Sequence, residues 1–193
     1  MENFYAGGKT FDNINFQENI PEKGEYEKCE FNNCNFYKSD ISEIVFIDCT
    51  FIDCNLSVAK VSGATFNNVK FNNCKMMGFR FDTCNDFGFS VEFENCILDH
   101  SSFFKKKLRN TKFVNSQLTE VDFTGSDLTS SKFIECNLTR SVFDNTIIEK
   151  ADFRTSFNYS IDPENNKIKK AKFSLAGVTG LLDKYDIEID LGD

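Results

Sequence analysis

The sequence contains no tryptophan, two prolines and a single histidine among 193 residues. It also has no Cys-x-x-Cys pair, no GxGxxG, no P-loop signature and no uninterrupted apolar run of membrane-spanning length. Each absence removes a class of function. Without Cys-x-x-Cys or several histidines, the usual zinc-ligand spacings cannot be assembled. His100 stands alone and has no serine or cysteine nucleophile assigned to it. The missing glycine-rich loops remove the common nucleotide-binding fingerprints. The start, Met1 to Phe11, lacks a basic n-region and an apolar h-region, which predicts a soluble, cytoplasmic chain whose cysteines stay reduced. No apolar stretch reaches the roughly 18 residues that a membrane helix needs, so no membrane partner is expected.

What is present is equally one-sided. Hydrophobic residues make up 40% of the chain, enough for a sizeable core, and 23 of them are phenylalanine. Such bias points to a small repeated unit. The formal charge is −8, unevenly spread: residues 1–99 hold 16 acidic and 8 basic groups, whereas residues 100–193 hold 14 of each. An acidic surface disfavours direct binding to nucleic acid or anionic lipid and suits a basic protein partner.

Neither period 2 nor period 3.6 fits the hydrophobic pattern; period five does. Stepping from Phe11 gives Phe16, Pro21, Tyr26, Phe31, Phe36, Ile41, Phe46, Phe51, Leu56, Val61, Phe66, Phe71, Met76 and Phe81. The stretch from Thr83 to Ser90 shifts the frame by two residues. The series then resumes at Phe93 and runs through Leu98, Phe103, Leu108, Phe113, Leu118, Phe123, Leu128, Phe133, Leu138, Phe143, Ile148 and Phe153. Two residues before most of these lies a small one. All eight cysteines occupy that phase and share it with Ala, Ser, Thr and Val; Lys106 is the misfit. A position that accepts Cys, Ala, Ser and Val alike selects for small volume, so the thiols are read as packing material rather than metal ligands.

One small and one large inward side chain in every five residues require a turn at every unit. Four such sides close a square coil of 20 residues, and successive coils stack at the ordinary strand spacing of about 4.8 Å. Residues 20 apart, or 22 across the shift, must then form columns. Phe31, Phe51, Phe71, Phe113 and Phe133 are the predicted aromatic core, and Cys34, Cys54, Cys74, Cys96 and Cys136 a predicted thiol column. The expected fold is an all-β solenoid of about seven coils between Phe11 and Phe153. Its carboxylates fall on outward, solvated positions and its packed interior leaves no substrate pocket, so no enzymatic activity and no cofactor are expected.

The units AKFSL, VDFTG, SKFIE, CNLTR and ADFRT resemble those of the pentapeptide-repeat proteins. That resemblance, recurring over roughly residues 11–157, implies a right-handed quadrilateral β-helix. The C-terminal stretch ADFRTSFNYSIDPENNKIKKAKFSLAGVTGLL resembles the Qnr and MfpA branch of the family. There a terminal helix pairs two molecules tail to tail, and the resulting acidic rod mimics DNA, binds DNA gyrase and topoisomerase IV, and in many members protects them from quinolones. The resemblance thus implies a homodimer and a type II topoisomerase as partner; a scaffold for an unrelated cytoplasmic partner is the alternative. Two departures stand out. The only frame break adds two residues, far fewer than the projecting loop of many Qnr proteins, and the second half is neutral overall and carries the basic stretch KKKLRNTK from Lys105 to Lys112.

Three segments are expected: an N-terminal cap and excursion loop over 1–25, the repeat over 26–156, and a C-terminal turn, helix and tail over 157–193. Ser174 is a suitable N-cap, and Leu175, Val178, Leu181 and Leu182 recur at helical spacing as dimer-interface candidates. Gly177 and Gly180 weaken that helix, which therefore needs something to pack on. The acidic and apolar alternation from Asp186 to Asp193 reads as a short edge strand. Val45, Ile47, Ile52, Val58 and Met77 are apolar at outward positions and are read as a floor beneath the Gln17–Gly24 loop.

Overall fold

A computed structural model describes residues 4–190. The chain winds as a square β-helix with no α-helix among those residues. We number the walls 1 to 4. Wall 1 is a seven-stranded parallel ladder of β2 (Thr10–Asp12), β4 (Glu30–Asn32), β6 (Thr50–Ile52), β8 (Val69–Asn72), β9 (Val91–Glu94), β10 (Lys112–Val114) and β11 (Lys132–Ile134). Wall 4 begins as a four-stranded parallel ladder of β1 (Phe4–Gly7), β3 (Gly24–Glu27), β5 (Val45–Ile47) and β7 (Thr65–Asn67). Walls 2 and 3 are held by single bridges, such as Asn15 to Asn35 to Asn55 on wall 2 and Ser102 to Asp122 to Val142 on wall 3. Wall 4 resumes beyond the frame break as the bridged series Lys107, Asp127, Ile147 and Lys167.

Register follows the repeat. Phe31 pairs with Phe51 and Phe51 with Phe71, a step of 20, and Phe71 pairs with Phe93, a step of 22. Seven turns separate Phe11 from Phe153. The coil extends past 26–156 at both ends: Phe4 pairs with Gly24, and Asp152 bridges to Lys172 with the Phe153 and Phe173 rings stacked at 5.5 Å. Residues 1–25 therefore include a coil of their own, built from β1 and β2.

The corners explain the five-residue step. Every fifth residue or so adopts a left-handed backbone: Asn13, Asn33, Asp53, Asn73, Asn95 and Asn115 all have φ between 47° and 55°. Asn and Asp tolerate this region better than other side chains because they bond locally. Val58 occupies the same conformation at φ 49°, where a β-branched residue is an outlier.

Phe31, Phe51, Phe71, Phe113 and Phe133 are buried in a single column, with centroid separations of 4.6 Å from Phe31 to Phe51 and 4.8 Å from Phe113 to Phe133. Rings on the opposed walls 1 and 3 meet edge to face across the core, as Phe123 and Phe133 do at 5.9 Å and 90°. Offset stacking along the rod and edge-to-face contact across it are the two arrangements an aromatic quadrupole favours.

The expected C-terminal helix is present as two short 3-10 helices, Gly177–Leu181 and Asp183–Tyr185. The Ser174 hydroxyl accepts the Gly177 N–H at 3.0 Å, as a cap would. The two glycines let this segment lie close against Tyr159. A β-carbon at Gly180 would lie 2.1 Å from the Tyr159 carbonyl oxygen, and one at Gly177 would lie 2.0 Å from the Tyr159 hydroxyl. The segment presses its backbone onto the last coil, and the Gly180 carbonyl accepts the Ile161 N–H at 2.9 Å. The tail through Asp190 forms no strand, and residues 191–193 of the expected edge strand lie outside the described residues.

Candidate functional site

Chemistry could reside inside the rod, at its joint, on its walls or at its ends. Inside, the small position has a second property beyond volume. The Cys29 thiol donates to the Ala6 carbonyl at 3.3 Å, Cys54 to Phe31 at 3.2 Å, Cys74 to Phe51 at 3.4 Å and Cys136 to Phe113 at 3.3 Å. Ser131 donates to the Leu108 carbonyl at 2.6 Å and Ser156 to Phe133 at 2.8 Å by the same rule. The acceptor lies 23 residues earlier, one coil back. These bonds satisfy carbonyls that the coil turns inward. Spacing alone did not reveal this; the shared donor character of Cys, Ser and Thr was the available signal.

Cys34, Cys54, Cys74, Cys96 and Cys136 occupy one column, all buried, and all eight thiols are free. Burial pushes the Cys49 and Cys84 thiols up to about 12 and Cys136 up to about 11. At neutral pH these are protonated donors without solvent access, unsuited to nucleophilic or redox work. No group of three or more potential ligands is placed to hold a metal ion among the described residues.

The joint is the break from Thr83 to Ser90. Lys106, the misfit of the small column, is 2% exposed. Its ammonium donates to the Cys84 carbonyl and to the Asp86 carboxylate, the latter at 2.7 Å, and lies 5.1 Å from the centre of the Phe89 ring. It thus bridges the coils where the wall 4 ladder is interrupted. Asn85 adds bonds of 2.9 Å to the Gly63 carbonyl and the Thr65 hydroxyl. Between these anchors the loop carries Phe87, 92% exposed.

The outer walls are polar and cross-linked along the rod. Asn33 bonds to Asn13, Asn68 to Asp48 and Asn115 to Asn95, each between side chains one coil apart. The apolar outward residues do not form one floor. Val45 and Ile47 lie on wall 4, Ile52 on wall 1, and Val58 and Met77 on wall 2. Nor does the Gln17–Gly24 loop cover them. Its residues Asn19, Ile20, Pro21 and Glu22 line the open N-terminal end together with Phe4, Phe11 and Phe16. His100 sits at an exposed corner, 3.0 Å from Glu120.

At the C-terminal end, Leu175 is 87% exposed and Val178 is exposed, whereas Leu181 and Leu182 are half-buried. Lys184 ties this end down through Asp162 at 2.8 Å and Glu164. The Lys184 ammonium holds both carboxyls below their ordinary range. No helix among the described residues is long and apolar enough to cross a membrane.

Comparison with known proteins follows the same geometry. A pentapeptide repeat region model matches residues 25–86 and 89–160, the two matched stretches meeting at the tip of the joint. No curated protein sequence matches the chain. Among solved structures, a trypsin-treated variant of QnrB1, described as a plasmid-mediated fluoroquinolone resistance protein, superposes with a TM-score of 0.76 at 17% identity, covering 97% of this chain and 92% of that one. Full-length QnrB1 superposes with a TM-score of 0.56 at 16% identity, covering 95% and 100% respectively.

Proposed function

This chain belongs to the pentapeptide-repeat family, and from that premise we propose that it is a non-enzymatic protein-interaction rod whose target is a type II topoisomerase, with quinolone sensitivity as the phenotype. The observation that carries the interaction role is the division between interior and exterior. The repeated large side chains are packed inside, only those at the two ends being partly exposed, and apart from Lys106 the charged residues lie on outward positions. Such a molecule acts through its surface. The topoisomerase reading rests on the fold shared with QnrB1 and on the excess of carboxylates in residues 1–99. Carboxylates presented along a rod suit a channel that normally holds DNA. The exposed apolar end around Leu175 and Val178, with Leu181 and Leu182 behind it, suits tail-to-tail pairing of two copies.

One observation favours the second reading, a scaffold for an unrelated protein. The acidic character does not run the full length: Lys107, Arg109, Lys150, Lys167 and Lys169 project from wall 4 in the later coils. A gyrase supercoiling assay with and without quinolone separates the two. Protection or inhibition at micromolar protein supports the topoisomerase reading. No effect on gyrase or topoisomerase IV removes it and leaves the scaffold.

A further inference from the structure

Wall 4 carries unpaired charges of opposite sign towards its two ends. Its outward residues near the N-terminal end are Glu25 and, at the adjoining corner one coil on, Asp48. Near the other end they are Lys167 in the column of Glu25 and Lys150 in the column of Asp48. Among the described residues none of these four makes an ion pair, although the molecule is otherwise cross-linked by them. Apolar Val45, one rung inward from Glu25, is matched by Ile147, one rung inward from Lys167. In the middle stand the exposed Phe87 on one rung and exposed Lys107 and Arg109 on the next.

Consider a second copy turned by half a revolution about an axis that lies against wall 4, crosses the rod, and passes between the Phe87 and Lys107 rungs. The operation reverses the rod but keeps each column opposite itself. Glu25 then faces Lys167, Glu27 faces Lys169, Asp48 faces Lys150, Val45 faces Ile147, Ile47 meets Glu149, and Phe87 faces Lys107 and the stem of Arg109, whose charge is held by Asp127 at 2.6 Å. Each contact occurs twice, as a two-fold interface requires. An aromatic face against Lys and Arg gains both cation–π attraction and alkyl burial. Lys28, whose corner would meet Lys170, is already neutralised by Glu27 at 2.9 Å.

We propose that wall 4 is a self-complementary surface on which two copies pair side by side and antiparallel. A partner of a single charge sign fits this wall badly: a polyanion meets Glu25 and Asp48, and a polycation meets the lysines. Only a partner with the reversed gradient satisfies both ends, and a second copy supplies it. Eight rungs at about 4.8 Å and three outward residues at about 3.3 Å give on the order of 400 Å² per copy. That is about 800 Å² in total, below the size of a stable specific interface and in the range of transient contacts, so the pairing is weak, reversible and salt-sensitive. It uses none of Leu175, Val178, Leu181 and Leu182 and is independent of tail-to-tail pairing and of any topoisomerase.

The test is a charge swap on the full chain, read by sedimentation across a concentration series. Both residue types already occur in each column, Glu25 with Lys167 and Asp48 with Lys150, so the substitutions suit the fold. The parent protein should associate at about 0.1 M salt and lose that step near 1 M, where the screening length falls from about 10 Å to about 3 Å. Glu25→Lys with Asp48→Lys should weaken the step on the order of a hundredfold, four opposed pairs having become repulsive. Adding Lys150→Asp and Lys167→Glu should restore it. Circular dichroism of each variant confirms that the fold is intact. Absence of a salt-sensitive step in the parent, indifference to the reversal, or failure of the full swap to restore association would each overturn the proposal. A Val178→Asp variant should retain the step; its loss would assign the association to the C-terminal end and overturn the wall 4 pairing.

Discussion

The two halves of the rod fill the same square cross-section with different rings. Before the joint, the aromatic columns stand on walls 1, 2 and 4, as in Phe31 with Phe51, Phe16 with Phe36, and Phe46 with Phe66, while wall 3 holds Ile41 and Val61. After it, phenylalanine stands on the opposed walls 1 and 3, as in Phe113 with Phe133 and Phe103 with Phe123, and walls 2 and 4 hold leucine at Leu118, Leu138, Leu108 and Leu128. The wall 1 column runs through both. The ring column of wall 4 ends at Phe66 and that of wall 3 begins at Phe81, and between them Phe79 occupies a small position 4.5 Å from Phe81. Wall 3 thus gains two rings in the coil where wall 4 loses one. The chain accommodates this with two extra residues between Phe71 and Phe93 and with Lys106 as a strut. Close packing fixes the volume of each coil but leaves open which walls supply it, and a frame shift marks where the supply changes hands.

The strongest way to break this picture is to hollow the column common to both halves. Phe71→Ala, fully buried before the joint, should cost about 3–5 kcal/mol in urea unfolding. Phe113→Ala, after it, should cost a similar amount in the same measurement. Each coil touches only its neighbours, so the damage should spread outward from the site. A clear disparity between the two would show that the halves differ in stability as well as in ring placement.

The joint gives the next effect. Lys106→Met keeps the length of the side chain but removes the ammonium that meets the Cys84 carbonyl and Asp86. A charged hydrogen bond of this kind contributes about 2 kcal/mol. The loss should concentrate between Thr83 and Ser90, seen as faster amide hydrogen exchange there with the coils on either side little changed. Uniform loss of protection along the rod would mean that the joint is not a separate structural unit.

Much of this was legible in the chain. The period of five fixes the coil, the wall columns and the position of the break, because every unit must obey the same steric rule. Three things were not. Lys106 could be seen as a misfit, but its partner carbonyl lies 22 residues earlier and becomes adjacent only when the coils stack. The spacing of Leu175, Val178, Leu181 and Leu182 marks a helix, yet the close contact of Gly177 and Gly180 with Tyr159 has no local signature. The wall 4 gradient appears only when residues 20 apart are read as neighbours, which turns an uneven charge count into two opposed ends of one surface.

Corners offer a smaller perturbation that sharpens the comparison. Val58 is a β-branched residue in the left-handed region at φ 49°, in the first half, whereas the equivalent corners in the second half carry His100, Glu120 and Arg140. Left-handed backbone costs an ordinary residue about 1–2 kcal/mol, and Asn less than most. Val58→Asn should therefore raise stability by about 1 kcal/mol, seen as a higher urea midpoint at unchanged slope. A lower midpoint would mean that the Val58 methyl against Gly78 contributes more than the strain removes.

The smallest effect tests why the first half prefers thiols. Seven of the eight cysteines precede His100, and hydroxyl residues dominate the same phase after it. The two groups do the same work: Cys54 donates to the Phe31 carbonyl at 3.2 Å, and Thr146 donates to the Phe123 carbonyl at 2.9 Å. Serine is smaller, so Cys54→Ser trades a better donor for a slightly looser fit, and the change should lie within about 1 kcal/mol of zero. Buried serines are not always satisfied, since the Ser39, Ser101 and Ser126 hydroxyls have no partner, which sets the unfavourable limit. Cys54→Val keeps the volume but removes the thiol's bond to the Phe31 carbonyl, so it should cost more than Cys54→Ser. The reverse order would reduce the position to volume alone. A Cys54→Ser protein that unfolds while Phe71→Ala stands would place the thiols, and not the rings, at the centre of the fold.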